Sequence, residues 1–214
     1  MKQFLKRVID IHPEELPQFT ILSIIYFIFI IGLVWSENAI RAEVVKEDLL
    51  AGAQLTSSIF VVLSSIIYTA YVDRIPKNRM VLILLFLGSI GIIVVTAGII
   101  VMQGSFDRVG YLILFSLHRF FFFIWVIHWF TFIIDLYDTQ AAKRIFPLLS
   151  ATRPFATMLA GFSFAPLVKL LGIEQGHNIL MVIWIVILIT AFVLFRFMPA
   201  ILRTRGAVES YVRR

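Results

Sequence analysis

The chain has 214 residues, 60% of them apolar and only 15% charged, with a mean hydropathy of +0.96. Soluble domains are about 45–50% apolar and roughly 25% charged, so an ordinary soluble enzyme, a disordered chain and a nucleic-acid-binding domain are all excluded. The absence of cysteine removes disulfides, thiolate metal sites and cysteine nucleophiles, and the net charge of +6 reads as membrane topology rather than as affinity for a polyanion.

The first segment, residues 1–17, interleaves Phe4, Leu5, Val8 and Ile9 with Lys2, Lys6, Arg7 and Asp10. That spacing predicts a short amphipathic helix lying along the inner membrane surface, not a cleavable signal with an uninterrupted apolar run. His12-Pro13-Glu14-Glu15-Leu16-Pro17 then ends it and opens the first span, since proline and acidic residues suit a first helical turn.

Six apolar blocks follow. Residues 19–36, 49–72, 80–106 and 175–195 carry no charge; residues 109–134 contain only Arg119, and residues 145–168 only Arg153, near the start. Each block is close to the roughly 20 residues that cross a bilayer as a helix. Strand alternation of the barrel kind is absent, and open sheet edges do not survive in hydrocarbon. The fold expected is therefore all-α: a polytopic membrane protein of six transmembrane helices over residues 18–199, followed by a basic cytoplasmic tail at 200–214. The interruptions, at residues 73–79, 103–107, 135–144 and 171–176, are short enough to make neighbouring helices antiparallel.

Basic residues set the orientation. Lys2, Lys6, Arg7, Arg74, Lys77, Arg79, Lys143, Arg144, Arg153, Arg196, Arg203, Arg205, Arg213 and Arg214 fall on one side, against Arg41, Lys46, Arg108 and Lys169 on the other. Short loops rich in Lys and Arg stay inside. Both termini are therefore expected in the cytoplasm, with the chain in the plasma (inner) membrane.

Signatures of catalysis are missing: no phosphate-binding glycine loop, no His-Glu-x-x-His and no Gly-x-Ser-x-Gly. The four histidines are dispersed, so no enzyme activity, metal site or cofactor is expected. The informative residues are charges inside spans, which are costly and usually face the bundle interior. Arg119 lies near the midplane of the fourth span and is expected to anchor an anionic substrate group or a carboxylate on another helix. His128, Thr131 and Asp135 share a stripe of that helix at spacings of three and four, on the opposite side from Arg119. They could line a cavity, relay protons or simply bond to a neighbour. Glu37 and Arg41, four apart with the acid first, form a helical pair at the outer end of the first span. It is either a solvated helix end or an external gate where substrate is admitted. Small residues on the fifth span (Ala151, Ala156, Ala160, Gly161, Ala165), and Gly88 with Gly91 on the third, predict close helix packing.

The loop Asp73-Arg74-Ile75-Pro76-Lys77-Asn78-Arg79 resembles the signature between the second and third helices of major facilitator transporters, although Pro76 and Thr69 stand where glycines are common. The segment Gln140-Ala141-Ala142-Lys143-Arg144-Ile145-Phe146-Pro147-Leu148 is similar to one between the fourth and fifth helices of the ATP/ADP translocase, or nucleotide transporter, branch. His12 to Pro17 is similar to that branch's lead into the first helix. The resemblance covers about residues 8–195. It implies one six-helix half of a transporter that moves a small anionic, nucleotide-like solute by alternating access between two halves. A second half would be a second copy, a separate chain or a missing C-terminal half. The resemblance also implies an inner gate at Asp73, Arg74 and Arg79, joined by Lys143 and Arg144. The substrate set expected is Arg119, His128, Glu37 and Arg41. The partners expected are the lipid bilayer, the second half and a small molecule, with no nucleic acid. The rival reading is a non-transporting membrane anchor or sensor that assembles with a partner.

Overall fold

The structure, a computed structural model, describes residues 11, 15–102, 104, 106–137, 139–172, 178–179, 182–191 and 193, without the side chains of residues 77, 78, 81, 135 and 139. The expected amphipathic segment, apart from its last residues, and the basic tail lie outside that set. Among the described residues every element is a helix: α1 (Leu16–Lys46), α2 (Leu50–Tyr71), α3 (Lys77–Met102), α4 (Asp107–Leu136), α5 (Thr139–Leu171) and the shorter α6 (Val182–Ala191). The first five are long and apolar enough to cross a membrane. The sixth apolar block, 175–195, lies partly outside the described residues, and α6 is its described portion. Backbone groups in hydrocarbon must bond within their own segment, which leaves helix as the open choice for such blocks.

Turn chemistry sets the ends. Helix α1 stops in a Schellman arrangement: Leu49 N–H bonds Val44 O at 2.9 Å and Asp48 N–H bonds Val45 O at 3.1 Å. Asp48 takes the left-handed φ of 55° that this motif needs, a conformation Asp tolerates better than most residues. Pro76 stands just before α3, and its carbonyl accepts the N–H groups of Arg79 and Met80. Gly104 supplies φ 72° between α3 and α4.

Two boundaries differ from expectation. Helix α1 continues about ten residues past the predicted end at 36, through Glu37, Arg41 and Glu43. The predicted loop at 135–144 is reduced to residues 137 and 138, so Lys143 and Arg144 lie within α5. Arg153, expected near the start of the fifth span, consequently stands at the middle of α5, ~21 Å from its start at 1.5 Å per residue. The inside-outside split of basic residues narrows by one but keeps its sign.

Helix α4 is the hub, packed against α1, α2 and α3, while α5 leans mainly on α1. The α2 face toward α4 is made of small or hydroxylated residues (Ala53, Ser57, Ser64), ending in Tyr68. Small residues let backbones approach where lipid removes any hydrophobic drive for helices to associate. Thr56 and Ser116 meet there at 3.0 Å. Gly88 on α3 plays the same part, because a Cβ there would lie 3.1 Å from the Phe121 ring. On α5 only part of the expected small stripe faces inward: Ala156 and Ala160 are buried with Ala141, Ile145 and Leu149, whereas Ala151, Gly161 and Ala165 are exposed. Helix α5 also contains Pro147, Pro154 and Pro166, each lacking the N–H that would bond four residues back.

Packing this close predicts asymmetric glycine tolerance. A Cβ on Gly110 would fall 2.6 Å from Ile99 Cγ1, while one on Gly161 meets nothing within 4 Å. Gly110→Val should cost about 1–3 kcal/mol through overpacking. Gly161→Ala should be neutral or stabilising by up to about 1 kcal/mol through helix propensity. Thermal melts in detergent, followed by far-UV circular dichroism, check both.

Candidate functional site

Charges are rare in these helices, and the structure draws several of them together. Helix α1 presents Glu37 and α4 presents Arg119. Arg119 Nη2 donates to Glu37 Oε1 at 2.6 Å, with the two side chains 29% and 17% exposed. Arg41, one turn along α1, sits 3.7 Å from the same oxygen. The Arg119 guanidinium also lies 5.5 Å from the centre of the Phe115 ring. Its Nε is buried with no hydrogen-bond partner. The expectation that Glu37 and Arg41 form a helix-end pair is thus half the arrangement. Glu37 is shared between two arginines, and its stronger contact bridges α1 to α4. Glu37 is ~14 Å from the far end of α1, and Arg119 ~18 Å from the start of α4. Both therefore lie well inside their helices.

His118, adjacent to Arg119, is fully buried and bonds Ser36 at 2.7 Å. Ser36 Oγ donates its one proton to Leu33 O, so it accepts from His118 Nε2–H. This second α1–α4 link was not foreseen. Its sequence signal was the His118-Arg119 pair opposite Ser36-Glu37, which requires knowing that α1 and α4 face each other.

The opposite face of α4 behaves as its spacing suggests. Tyr68 of α2 lies 3.3 Å from His128 Nδ1 and donates to Thr131 Oγ1 at 3.2 Å. Thr131 in turn donates to Ile127 O. The hydrogen bonds run from His128 through Tyr68 and Thr131 to a backbone carbonyl, which braces α2 against α4. The Asp135 side chain, third on that stripe, lies outside the described set. His128 therefore does not join Arg119; the two serve different helix pairs.

The expected gating residues occupy the other end of the bundle. Asp73 and Arg74 are exposed in the α2–α3 turn, Arg79 is exposed in the first turn of α3, and Lys143 is exposed on α5. Arg144 instead turns inward and donates to Glu15 at the start of α1 at 2.9 Å. The structure thus brings Arg144 together with Glu15, not with Asp73. Trp35 of α1 donates to Ala160 O and Ser163 Oγ of α5, both at 3.1 Å, and so ties the other half of the α1–α5 seam.

Arg153, expected near the start of the fifth span and given no role there, is the main omission. It is exposed, stands mid-helix, and stacks over the Phe122 ring of α4 with its guanidinium carbon 5.3 Å from the ring centre. Beside it runs an aromatic stack in which Tyr26 lies 6.2 Å from Trp125 and 5.7 Å from Trp129, centre to centre.

Comparison of the chain with known proteins finds no matching family model, no matching curated relative and no matching solved structure.

The Glu37–Arg119 bridge sets a measurable coupling. Arg119→Gln and Glu37→Gln should each lower stability by about 1–3 kcal/mol, the range for a hydrogen bond to a charged group. The double variant should cost clearly less than their sum, because the second change removes a charge already left without its partner. A double-mutant cycle of thermal unfolding in nanodiscs measures this.

Proposed function

We propose that this chain is one six-helix, major-facilitator-like half of a transporter of the inner membrane. It would move a small anionic, nucleotide-like solute by alternating access once a second half is present, on another copy, another chain or further along the same polypeptide. The observation that carries the reading is the Glu37–Arg119 couple well inside two predominantly apolar helices, partly exposed, and with Arg119 Nε still lacking a partner. Ionisable groups inside membrane helices are expensive and mark substrate or ion paths. An incoming anion competes with Glu37 for Arg119, and that exchange links occupancy to the α1–α4 contact. At the other end, Arg144–Glu15 and the exposed Asp73, Arg74, Arg79 and Lys143 supply charges for an inner gate, with both termini on that side.

One observation favours the rival reading of a non-transporting anchor or sensor. The small cleft between α1, α3, α4 and α6 is lined by Phe29, Leu33, Leu85, Phe121, Trp125 and Trp184 among other apolar residues. A polar solute gains nothing there.

Reconstituted vesicles separate the two. Adenine nucleotides and smaller phosphates should accumulate in vesicles holding the protein with its second half, and Arg119→Gln should cut uptake at least tenfold. Vesicles that take up none of them would leave the anchor reading. Topology has its own check, helped by the lack of native cysteine. Asp48→Cys and Asp73→Cys should react with an impermeant maleimide from opposite sides of sealed cells, with residue 73 inside. Labelling from one side would overturn the antiparallel α1–α2–α3 arrangement in the membrane.

A further inference from the structure

Arg119 is already neutralised, but Arg153 is not. Among the described residues Arg153 makes no ion pair or hydrogen bond; its contact is the Phe122 ring. Its place on α5 is specific. Leu149, four residues before, and Ala156, three after, are buried, and Ser150 is half-buried. Arg153 therefore stands, exposed, at the edge of the packed stripe with its guanidinium over the Phe122 ring of α4.

An arginine at this depth has few alternatives. Nine residues, ~14 Å along the axis, separate it from Arg144, the nearest charge before it on α5, so it reaches water only by snorkelling. Leaving it in hydrocarbon costs roughly 2.5–3.5 kcal/mol even on the lenient insertion scale. An aromatic face recovers only about 0.5–2 kcal/mol of that. A counter-anion is what such a group lacks.

The surroundings supply donors in want of an acceptor. The Tyr26 hydroxyl, within electrostatic range of Arg153, is buried and has no hydrogen-bond partner. The Nε1 of Trp129, stacked on Tyr26, is in the same condition. Buried donors without partners are uncommon and costly. Both belong to one aromatic stack on α1 and α4, the helix whose Phe122 ring lies under Arg153. Phe122, under Arg153, is one turn from Arg119 on α4, which puts both cations within about one helical turn of each other in depth.

We propose that Arg153, seated over Phe122 at the α4–α5 seam, is the binding point for one phosphate or carboxylate group. It takes that group without breaking the Glu37–Arg119 pair. Its role in substrate capture rests on the transport reading; its ability to bind an anion does not. Mid-span depth favours a dissolved anion over a lipid headgroup, and the two sources separate experimentally.

The test uses the full chain in phosphatidylcholine nanodiscs, titrated with inorganic phosphate and with citrate while tryptophan fluorescence is followed. Saturable quenching is expected, weakened at least tenfold by Arg153→Gln, largely retained by Arg153→Lys, and changed less by Arg119→Gln. Circular dichroism melts of each variant confirm that it is folded, and the Lys variant keeps the test valid should the Gln variant fail to fold. In a second arm phosphatidylglycerol is added, and lipid retained by the protein is counted by native mass spectrometry. Retention that Arg153→Gln abolishes, with no phosphate binding, upholds the anion site and assigns it to a headgroup. Arg153-dependent phosphate binding in a protein that transports nothing upholds the site and overturns only the transport reading. Equal binding of phosphate, citrate and phosphatidylglycerol by wild type and Arg153→Gln, or saturation by none of them, overturns the proposal.

Discussion

The bundle depends on one constraint: in a bilayer, apolar side chains gain almost nothing by leaving lipid for protein. Helix association must come from close contact and from the few polar groups that hydrocarbon cannot satisfy. Helix α4 shows both. Toward α2 it meets a face of alanine, serine and threonine; toward α3 it meets Gly88; toward α1 it uses hydrogen bonds and a salt bridge. Its neighbours are specified by three different chemistries, which leaves little freedom to exchange one helix for another.

Polar contacts are spread with depth. Arg144 and Glu15 join α5 to α1 near one end, Trp35 joins the same pair farther along, and Glu37, Ser36, His118 and Arg119 join α1 to α4. Each lies at a seam between two rods, not at the centre of a sealed core. Interhelical bonds of this kind contribute modestly one by one, averaging about 0.6 kcal/mol. Their value lies in fixing register and rotation, since a helix turned by one residue would strand every partner in lipid.

The apolar blocks were legible in the sequence because hydropathy is a local property, and five of the six reappear as full-length helices. What was illegible depends on distant partners. Glu37 reads locally as the end of a span; it remains inside α1 because Arg119, 82 residues away in sequence, receives it. Arg153 reads as the first part of its span, grouped with Lys143 and Arg144 on the basic side. Only the start of α5 at Thr139 shows that the cluster is split along one helix, with Arg153 at its middle. The His128–Thr131 stripe was visible from spacing, but its partner Tyr68 was not, because helix pairing is not written in periodicity. Gly88 was legible as a contact point, whereas three of the five small residues on α5 are exposed.

The three prolines of α5 have a mechanical corollary. Each leaves a carbonyl one turn earlier without its usual bond, so the rod is weakened at three levels while α1 and α4 stay continuous. Because α5 rests mainly on a single neighbour, bending stress applied to this assembly is relieved there first. The α1–α4 pair acts as a keel, and α5 as a jointed spar hung beside it, carrying the mid-depth guanidinium at its second joint.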